Sequence, residues 1–253
     1  RQLFFGPAPG QSITSSRSVT GGAPKRAGMA AVRALDSTGK PVIVAWGGVG
    51  DVGGSSFSLG QAVSNEIFYL YENGNPDWNQ VFPEGPRPKP TVNATMVFSH
   101  VTRKVYLFGG YETEGVPRNR NETWELSIEG GACPNCTFHW TRLDVDGGVT
   151  CYPESACEGQ GPPARRGHQM VETNYNNTAP ESEYINCGVN GVDGSLCSFG
   201  IFMRGGTSDG INAFSDRWMF DPTRRHWQQV NSMPPRHYTS LASVQYQPLN
   251  SPT

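Results

Sequence analysis

The feature that most constrains the fold of this chain is an apolar run ending in a Gly-Gly pair, which occurs three times. The three runs are residues 42–48, 105–110 and 200–206. Glycine adopts positive φ and lets another backbone approach closely, so a Gly pair after an apolar run marks the end of a strand. Recurrence of this pattern predicts several copies of one supersecondary unit.

Three further segments recur around each Gly-Gly run. After the glycines come a polar loop and a short strand opened by polar or acidic residues, at 64–70, 121–126 and 215–220. A Trp with an apolar residue three positions later follows, in the pairs Trp78 with Val81, Trp140 with Leu143 and Trp227 with Val230. Before the runs lie segments entered through Pro and often Arg, such as 24–29 and 162–170. The unit is therefore four short strands, with the Trp as an apolar plate between neighbouring sheets.

Composition agrees with an all-β fold. The chain has 31 Gly and 20 Pro, and charged residues make up only 17%. A helical bundle would need more Ala, Leu, Glu and Lys and fewer of these two residues. The 36% of hydrophobic residues is sufficient for a core.

The repeat resembles the kelch repeat, in which Gly-Gly follows the second strand and a Trp lies in the fourth. The resemblance covers about residues 24–247 and implies an all-β propeller of four-stranded antiparallel blades. The predicted segments are complete blades at 24–82, 90–144 and 162–231, a partial blade at 234–247, and a remnant or closing strand in residues 1–23. The termini either combine to close the ring or the chain is an excerpt of a larger propeller. The excerpt is favoured because propellers have roughly four to eight blades.

Six cysteines lie in the stretch richest in loop-forming residues: Cys133, Cys136, Cys151, Cys157, Cys187 and Cys197. An even number in loop-like sequence predicts disulfides formed in an oxidising compartment. Local pairs (133–136, 151–157 and 187–197) are favoured, since each would close one irregular loop. The alternative for the first four is 133–151 with 136–157. A zinc site at Cys133 and Cys136 would need a second ligand pair of similar spacing, which the sequence lacks.

Four Asn-x-Ser/Thr sequons predict N-linked glycans, at Asn93, Asn121, Asn135 and Asn176. With the cysteines they predict a secreted or cell-surface protein. The net charge of −2 and the lack of a Lys/Arg cluster argue against nucleic acid as a partner. No apolar run reaches the roughly 18 residues of a transmembrane helix.

The sequence contains no complete catalytic template, and we predict no cofactor. The enzymatic alternative is a secreted propeller enzyme such as a galactose oxidase-like copper-radical oxidase, with its site completed outside this segment. Such a site needs two His and two Tyr, but His168 and His237 occupy matched places in the repeat and are predicted to be structural. The acids Glu66, Glu122 and Asp216 also recur at one repeat position, which predicts hydrogen bonding within the fold rather than catalysis.

A binding or assembly role is favoured instead. The loops after the Gly-Gly runs, at 49–64, 111–120 and 207–214, differ greatly from one another, and variable loops on a rigid scaffold are common recognition sites. We expect extracellular protein or glycan partners. The candidate partner-binding residues are Phe57, Glu112, Glu114, Arg118 and Arg120.

Overall fold

A computed structural model of the chain describes residues 26–50, 65–71, 77–81, 83, 85–112, 116–143, 161–174 and 199–230. Within these ranges the protein is all-β and contains no helix, so the predicted fold class is confirmed at this level. These ranges accordingly contain no helical segment capable of crossing a membrane. The predicted partial blade at 234–247 and the segment 1–23 lie outside them.

The described strands are short and pair with antiparallel neighbours. In chain order they are β1 (Arg26–Ala27), β2 (Ala30–Leu35), β3 (Pro41–Trp46), β4 (Val49–Gly50), β5 (Ile67–Tyr71), β6 (Trp78–Val81), β7 (Thr95–Ser99), β8 (Lys104–Phe108), β9 (Tyr111–Glu112), β10 (Arg118–Asn119), β11 (Thr123–Glu129), β12 (Thr137–Arg142), β13 (Arg166–Asn174), β14 (Phe199–Thr207), β15 (Arg217–Asp221) and β16 (His226–Val230).

Twelve of these strands form three four-stranded antiparallel sheets. Sheet 1 has the order β2-β3-β5-β6, sheet 2 has β7-β8-β11-β12, and sheet 3 has β13-β14-β15-β16. The other four strands form two separate two-stranded ribbons, β1 with β4 and β9 with β10. When these ribbons are left aside, neighbouring strands in each sheet follow one another along the chain. The four-strand unit predicted from the repeat is therefore present three times in the described part of the chain.

The three sheets stack face to face, with sheet 2 in the middle. Between sheets 1 and 2, Trp140 meets Trp46 edge to face with ring centroids 5.2 Å apart. Between sheets 2 and 3, Trp227 meets Phe108 in the same manner, also at 5.2 Å. Each of these fourth-strand tryptophans is buried and packs against the preceding sheet, which confirms their predicted place between sheets.

The Gly-Gly pairs form the junctions between successive sheets. All six glycines have positive φ, between 67° and 96°. The amide of Gly48 donates to the Thr91 carbonyl at 3.0 Å, and that of Gly110 donates to the Arg165 carbonyl at 2.9 Å. A Cβ on Gly110 would lie 2.8 Å from the Cβ of Thr91. Each pair therefore holds the end of its second strand against the chain entering the next sheet, and a side chain there would separate the two.

A second set of hydrogen bonds connects the starts of the three sheets. A residue with positive φ occurs at the same place at the start of each sheet. Gly28 lies two residues before β2 (φ 65°), Asn93 lies two residues before β7 (φ 55°), and Gly167 is the second residue of β13 (φ 66°). The Asn93 amide donates to the Gly28 carbonyl at 2.8 Å, and the Gly167 amide donates to the Asn93 carbonyl at 2.9 Å. We call this set the entry ladder. It keeps the first strands side by side at the start of each sheet.

Candidate interaction surface

The recurring acids form ion pairs with buried or half-buried arginines. Asp216 accepts hydrogen bonds from Arg165 Nη1 at 2.7 Å and from the Trp218 indole at 2.7 Å. The Arg165 guanidinium is fully buried and also donates to the Gly205 carbonyl at 3.0 Å. Because charge-assisted bonds of this kind are strong and directional, they fix where the loop leaves the sheet.

The other two recurring acids have the same role. Glu122 accepts from the Trp124 indole at 3.0 Å and from Arg120 at 3.3 Å. In sheet 1, Glu66 pairs with Arg26 at 2.8 Å. The prediction that these acids serve hydrogen bonding within the fold is confirmed.

The loop of sheet 2 carries the predicted partner-binding residues that the structure describes. Glu112 is buried and pairs with Arg118 Nε at 3.4 Å and with the guanidinium of Arg120. The Arg120 side chain is largely buried, whereas 62% of the Arg118 side chain is exposed. Of these three candidates, Arg118 is the one open to a partner, and the other two hold the ribbon in place. Phe57 and Glu114 lie outside the described residues.

The loop of sheet 3 is organised around the carboxylate of Asp209. Its oxygens accept hydrogen bonds from the amides of Ile211 and Asn212, each at 2.8 Å, from the Asn212 side chain at 2.7 Å, and from the Thr207 hydroxyl at 2.9 Å. These donors, led by the Asn212 amide, hold the pKa of Asp209 far below its usual range. The loop is therefore a preformed turn, although it projects into solvent.

A hydrogen bond joins the two loops. The Asn119 side-chain amide donates to the Ser208 carbonyl. Beside this contact, the guanidinium of Arg166 lies over the ring of Tyr111, 4.4 Å from its centroid. We call residues 116–119 and 208–212 together the paired-loop surface.

Two aliphatic side chains project from the paired-loop surface. Val116 is 80% exposed and Ile211 is 78% exposed, which makes them the two most exposed large hydrophobic residues in the described ranges. Sequence reasoning missed both, since neither belongs to a periodic pattern. The Asp209-Gly210 dipeptide, a common turn signal, was the available indication that Ile211 would lie at a tip.

Two described histidines of the repeat, His168 and His226, are buried, whereas His139 is exposed. His168 is fully buried beside the Phe108 ring, and burial, followed by the charge of Arg165, lowers its pKa to about 3. Burial likewise lowers the pKa of His226. The predicted structural role of His168 is confirmed, while His237 lies outside the described ranges. Nowhere in those ranges do three or more His, Cys, Asp or Glu side chains form a group that could hold a metal ion.

Some of the predicted disulfide and glycosylation sites lie within the described ranges. Cys133 and Cys136 are joined in a disulfide, which is the favoured pairing for these two residues. The sequon residues Asn121 and Asn135 are exposed, and Asn93 is half-buried. The other four cysteines and Asn176 lie outside the described ranges, so their disulfides and glycan stay predictions. These cysteines are Cys151, Cys157, Cys187 and Cys197.

The chain matches no protein-family model and no curated protein. The functional conclusion therefore rests on the geometry of the paired-loop surface.

Proposed function

We propose that this chain is a kelch-type β-propeller, or part of one, that acts as an extracellular binding module for a protein partner. Three features support the propeller: consecutive four-stranded sheets stacked face to face, a Gly-Gly junction at the end of each second strand, and a buried Trp between sheets. The binding role places the contact on loops carried by the rigid sheets, as is common for recognition sites.

The observation that carries the binding role is the exposure of Val116 and Ile211 on two loops that are fixed to each other. A single exposed aliphatic side chain is ordinary on a protein surface. These two belong to neighbouring sheets, and the Asn119–Ser208 hydrogen bond joins their loops. A partner that buries both side chains would pay little entropy for ordering the loops, because both are already held in place.

The chemistry of the surface favours a protein over a glycan. Aliphatic side chains bury well against apolar side chains, and the exposed guanidinium of Arg118 suits an acidic group at the rim of such a contact. Binding of a sugar ring commonly uses an open aromatic face, and the Tyr111 ring is instead covered by Arg166. The partner we expect therefore presents an apolar patch with a carboxylate beside it.

An extracellular location is part of the proposal. It is supported by the Cys133–Cys136 disulfide and by the exposure of Asn121 and Asn135, which leaves room for glycans. Asn121 follows the β9–β10 ribbon directly, so a glycan there would flank the paired-loop surface. Mass measurement with and without glycosidase tests this part: unmodified Asn121 and Asn135 in protein from a eukaryotic secretory host would contradict it.

The binding role is tested by comparing two affinity columns exposed to extracellular fluid of the source organism. One carries the wild-type chain and the other the Val116→Asp/Ile211→Asp variant. We expect proteins that the wild type retains and the variant does not, because the variant places charges where the partner buries apolar surface. Identical retention on both columns would contradict the proposal, as would stoichiometric copper with alcohol-dependent peroxide formation, which the oxidase alternative requires.

A further inference from the structure

The turn between β11 and β12 of sheet 2 contains the Cys133–Cys136 disulfide and lies against sheet 1. Cys133 is 3% exposed and belongs to the apolar core that sheets 1 and 2 share. Cys136 packs against the same core but is only half-buried. Pro134 and Asn135, between the two cysteines, are exposed. The disulfide therefore has one buried end and one accessible end, at the edge of the junction between two sheets.

Three hydrogen bonds join this turn to the turn between β2 and β3 of sheet 1. The Cys133 amide donates to Asp36 Oδ2 at 3.3 Å. The Ser37 hydroxyl donates to the Gly131 carbonyl at 3.0 Å and accepts from the Gly131 amide at 2.9 Å. We call residues 36–37 and 131–136 together the clasp. It connects segments that are more than 90 residues apart in the sequence.

The sheet 1 side of the clasp is fixed by contacts of its own. Asp36 is 1% exposed, and its Oδ1 atom accepts from the amides of Thr38 and Lys40, each at 2.9 Å, and from the Thr38 hydroxyl at 2.7 Å. These bonds lie within the β2–β3 turn and set the direction of the carboxylate. The fit of the clasp therefore depends on the shape of the turn that contains Cys133.

We propose that the disulfide is a reducible lock on the junction of sheets 1 and 2, and that an external dithiol opens it at Cys136. Thiol–disulfide exchange requires access to the sulfur that is attacked, and of the two sulfurs the one of Cys133 lies in the core. A thiolate of the dithiol attacks Cys136 Sγ, which breaks the S–S bond, forms a mixed disulfide and releases the Cys133 thiolate. The second thiol of the dithiol then displaces Cys136, and both cysteines end as thiols while the dithiol is oxidised to its own disulfide.

Opening the disulfide weakens one of the two described junctions. Without the cross-link, residues 131–136 gain conformational freedom, and the three hydrogen bonds of the clasp have to offset the cost of ordering them. The clasp makes its contacts to sheet 1, whereas the junction of sheets 2 and 3 has its own hydrogen bond between Trp227 and Thr123, at the other end of β11. We therefore expect reduction to loosen sheet 1 and to leave the contact of sheets 2 and 3 in place.

The first test identifies the sulfur that exchanges. The oxidised, folded protein is incubated with glutathione, a monothiol that stops at the mixed disulfide, and the released thiols are then blocked with N-ethylmaleimide. Mass spectrometry of the peptide that contains both cysteines should find glutathione on Cys136 about tenfold more often than on Cys133, with the maleimide on the other cysteine. Glutathione mainly on Cys133, or no exchange in the folded protein, would overturn the proposal.

The second test separates a lock on the junction from a cross-link that only restricts the unfolded chain. Ser37→Ala removes both bonds to Gly131, and Cys133→Ala/Cys136→Ala removes the disulfide and keeps the Asn135 sequon. We expect Ser37→Ala to lower the folding equilibrium constant about fivefold with the disulfide present and to have little effect without it. The constant is measured with denaturant on protein without glycans.

Thr123→Val, in the junction of sheets 2 and 3, is the matched control and should lower the constant by the same factor with and without the disulfide. An effect of Ser37→Ala that is equal in both backgrounds would overturn the lock. If the cysteine variant does not fold, glutathione mapping still decides the proposal, because it uses the wild-type chain.

Discussion

The indole of Trp227 in sheet 3 donates a hydrogen bond to the hydroxyl of Thr123 in sheet 2, with the two atoms 2.9 Å apart. Both residues are buried, so this bond joins the sheets inside an otherwise apolar interface. Thr123→Val keeps the shape of the side chain but leaves the indole N–H without an acceptor. We expect a loss of about 1–3 kcal/mol in the free energy of unfolding, measured with chemical denaturant.

Two control variants make the Thr123 measurement specific. Thr123 is the third residue of the Asn121 sequon, so Thr123→Val also removes that sequon. Asn121→Gln removes the sequon alone and should leave stability nearly unchanged, and Thr123→Ser keeps both the acceptor and the sequon. Equal losses in Asn121→Gln and Thr123→Val would contradict a role for the hydrogen bond.

Asn93 holds the position in the entry ladder that a glycine holds in the other two sheets. The positive φ at this position determines which substitutions it tolerates. Its φ of 55° matches those of Gly28 and Gly167. Asn adopts this region more readily than most residues with a side chain. We expect Asn93→Gly to keep the stability of the protein and Asn93→Gln to cost about 1–2 kcal/mol, both measured by thermal and denaturant unfolding of protein without glycans. A variant Asn93→Gly that is less stable than Asn93→Gln would contradict the ladder.

His168 makes the stability of the protein depend on pH. Its pKa is lowered to about 3 in the folded state, while the unfolded chain takes up the proton near its ordinary pKa of about 6.5. As pH falls below 6.5 the unfolded state binds a proton that the folded state does not, so stability is present above this pH and is lost below it. Between pH 7 and pH 5 the loss from this residue is about 2 kcal/mol.

His168→Met is the variant that checks this contribution, because Met29 occupies the corresponding place before β2. The variant should lose less stability than the wild type between pH 7 and pH 5, by about 2 kcal/mol. His226 titrates in both proteins and drops out of the comparison. Parallel pH profiles for wild type and variant would show that His168 is not held neutral in the fold.

The sequence predicted the repeat because its markers are local. The Gly pairs at strand ends, the fourth-strand tryptophans and the recurring acids each meet a backbone or packing requirement that every sheet shares. The paired-loop surface was less predictable, because nothing local shows that Asn119 reaches Ser208 or that Val116 and Ile211 stay uncovered. Glu112 was a candidate as an acid in a variable loop, and its burial against Arg120 depends on the fold of the ribbon.

Sheet 2 shows why the entry segments were harder to recognise than the Gly-Gly runs. Arg26 and Arg165 reach the acids of their own sheets from the entry segment. In sheet 2 this place is held by Thr91, and Arg120 from the loop between strands β10 and β11 pairs with Glu122 instead. Arg120 thus supplies the positive charge that pairs with Glu122 from another part of the chain. Sheet 2 therefore has this ion pair without an arginine at the position of Thr91.

The most direct test of the binding role is the affinity of one purified partner for three forms of the chain, measured by calorimetry. The forms are the wild type, Val116→Asp/Ile211→Asp, and Val101→Asp, which places the same charge at an exposed apolar residue away from the paired-loop surface. We predict that the double variant raises Kd at least tenfold, about 1.4 kcal/mol or more, while Val101→Asp binds as the wild type does. Equal Kd values for the wild type and the double variant would contradict the account.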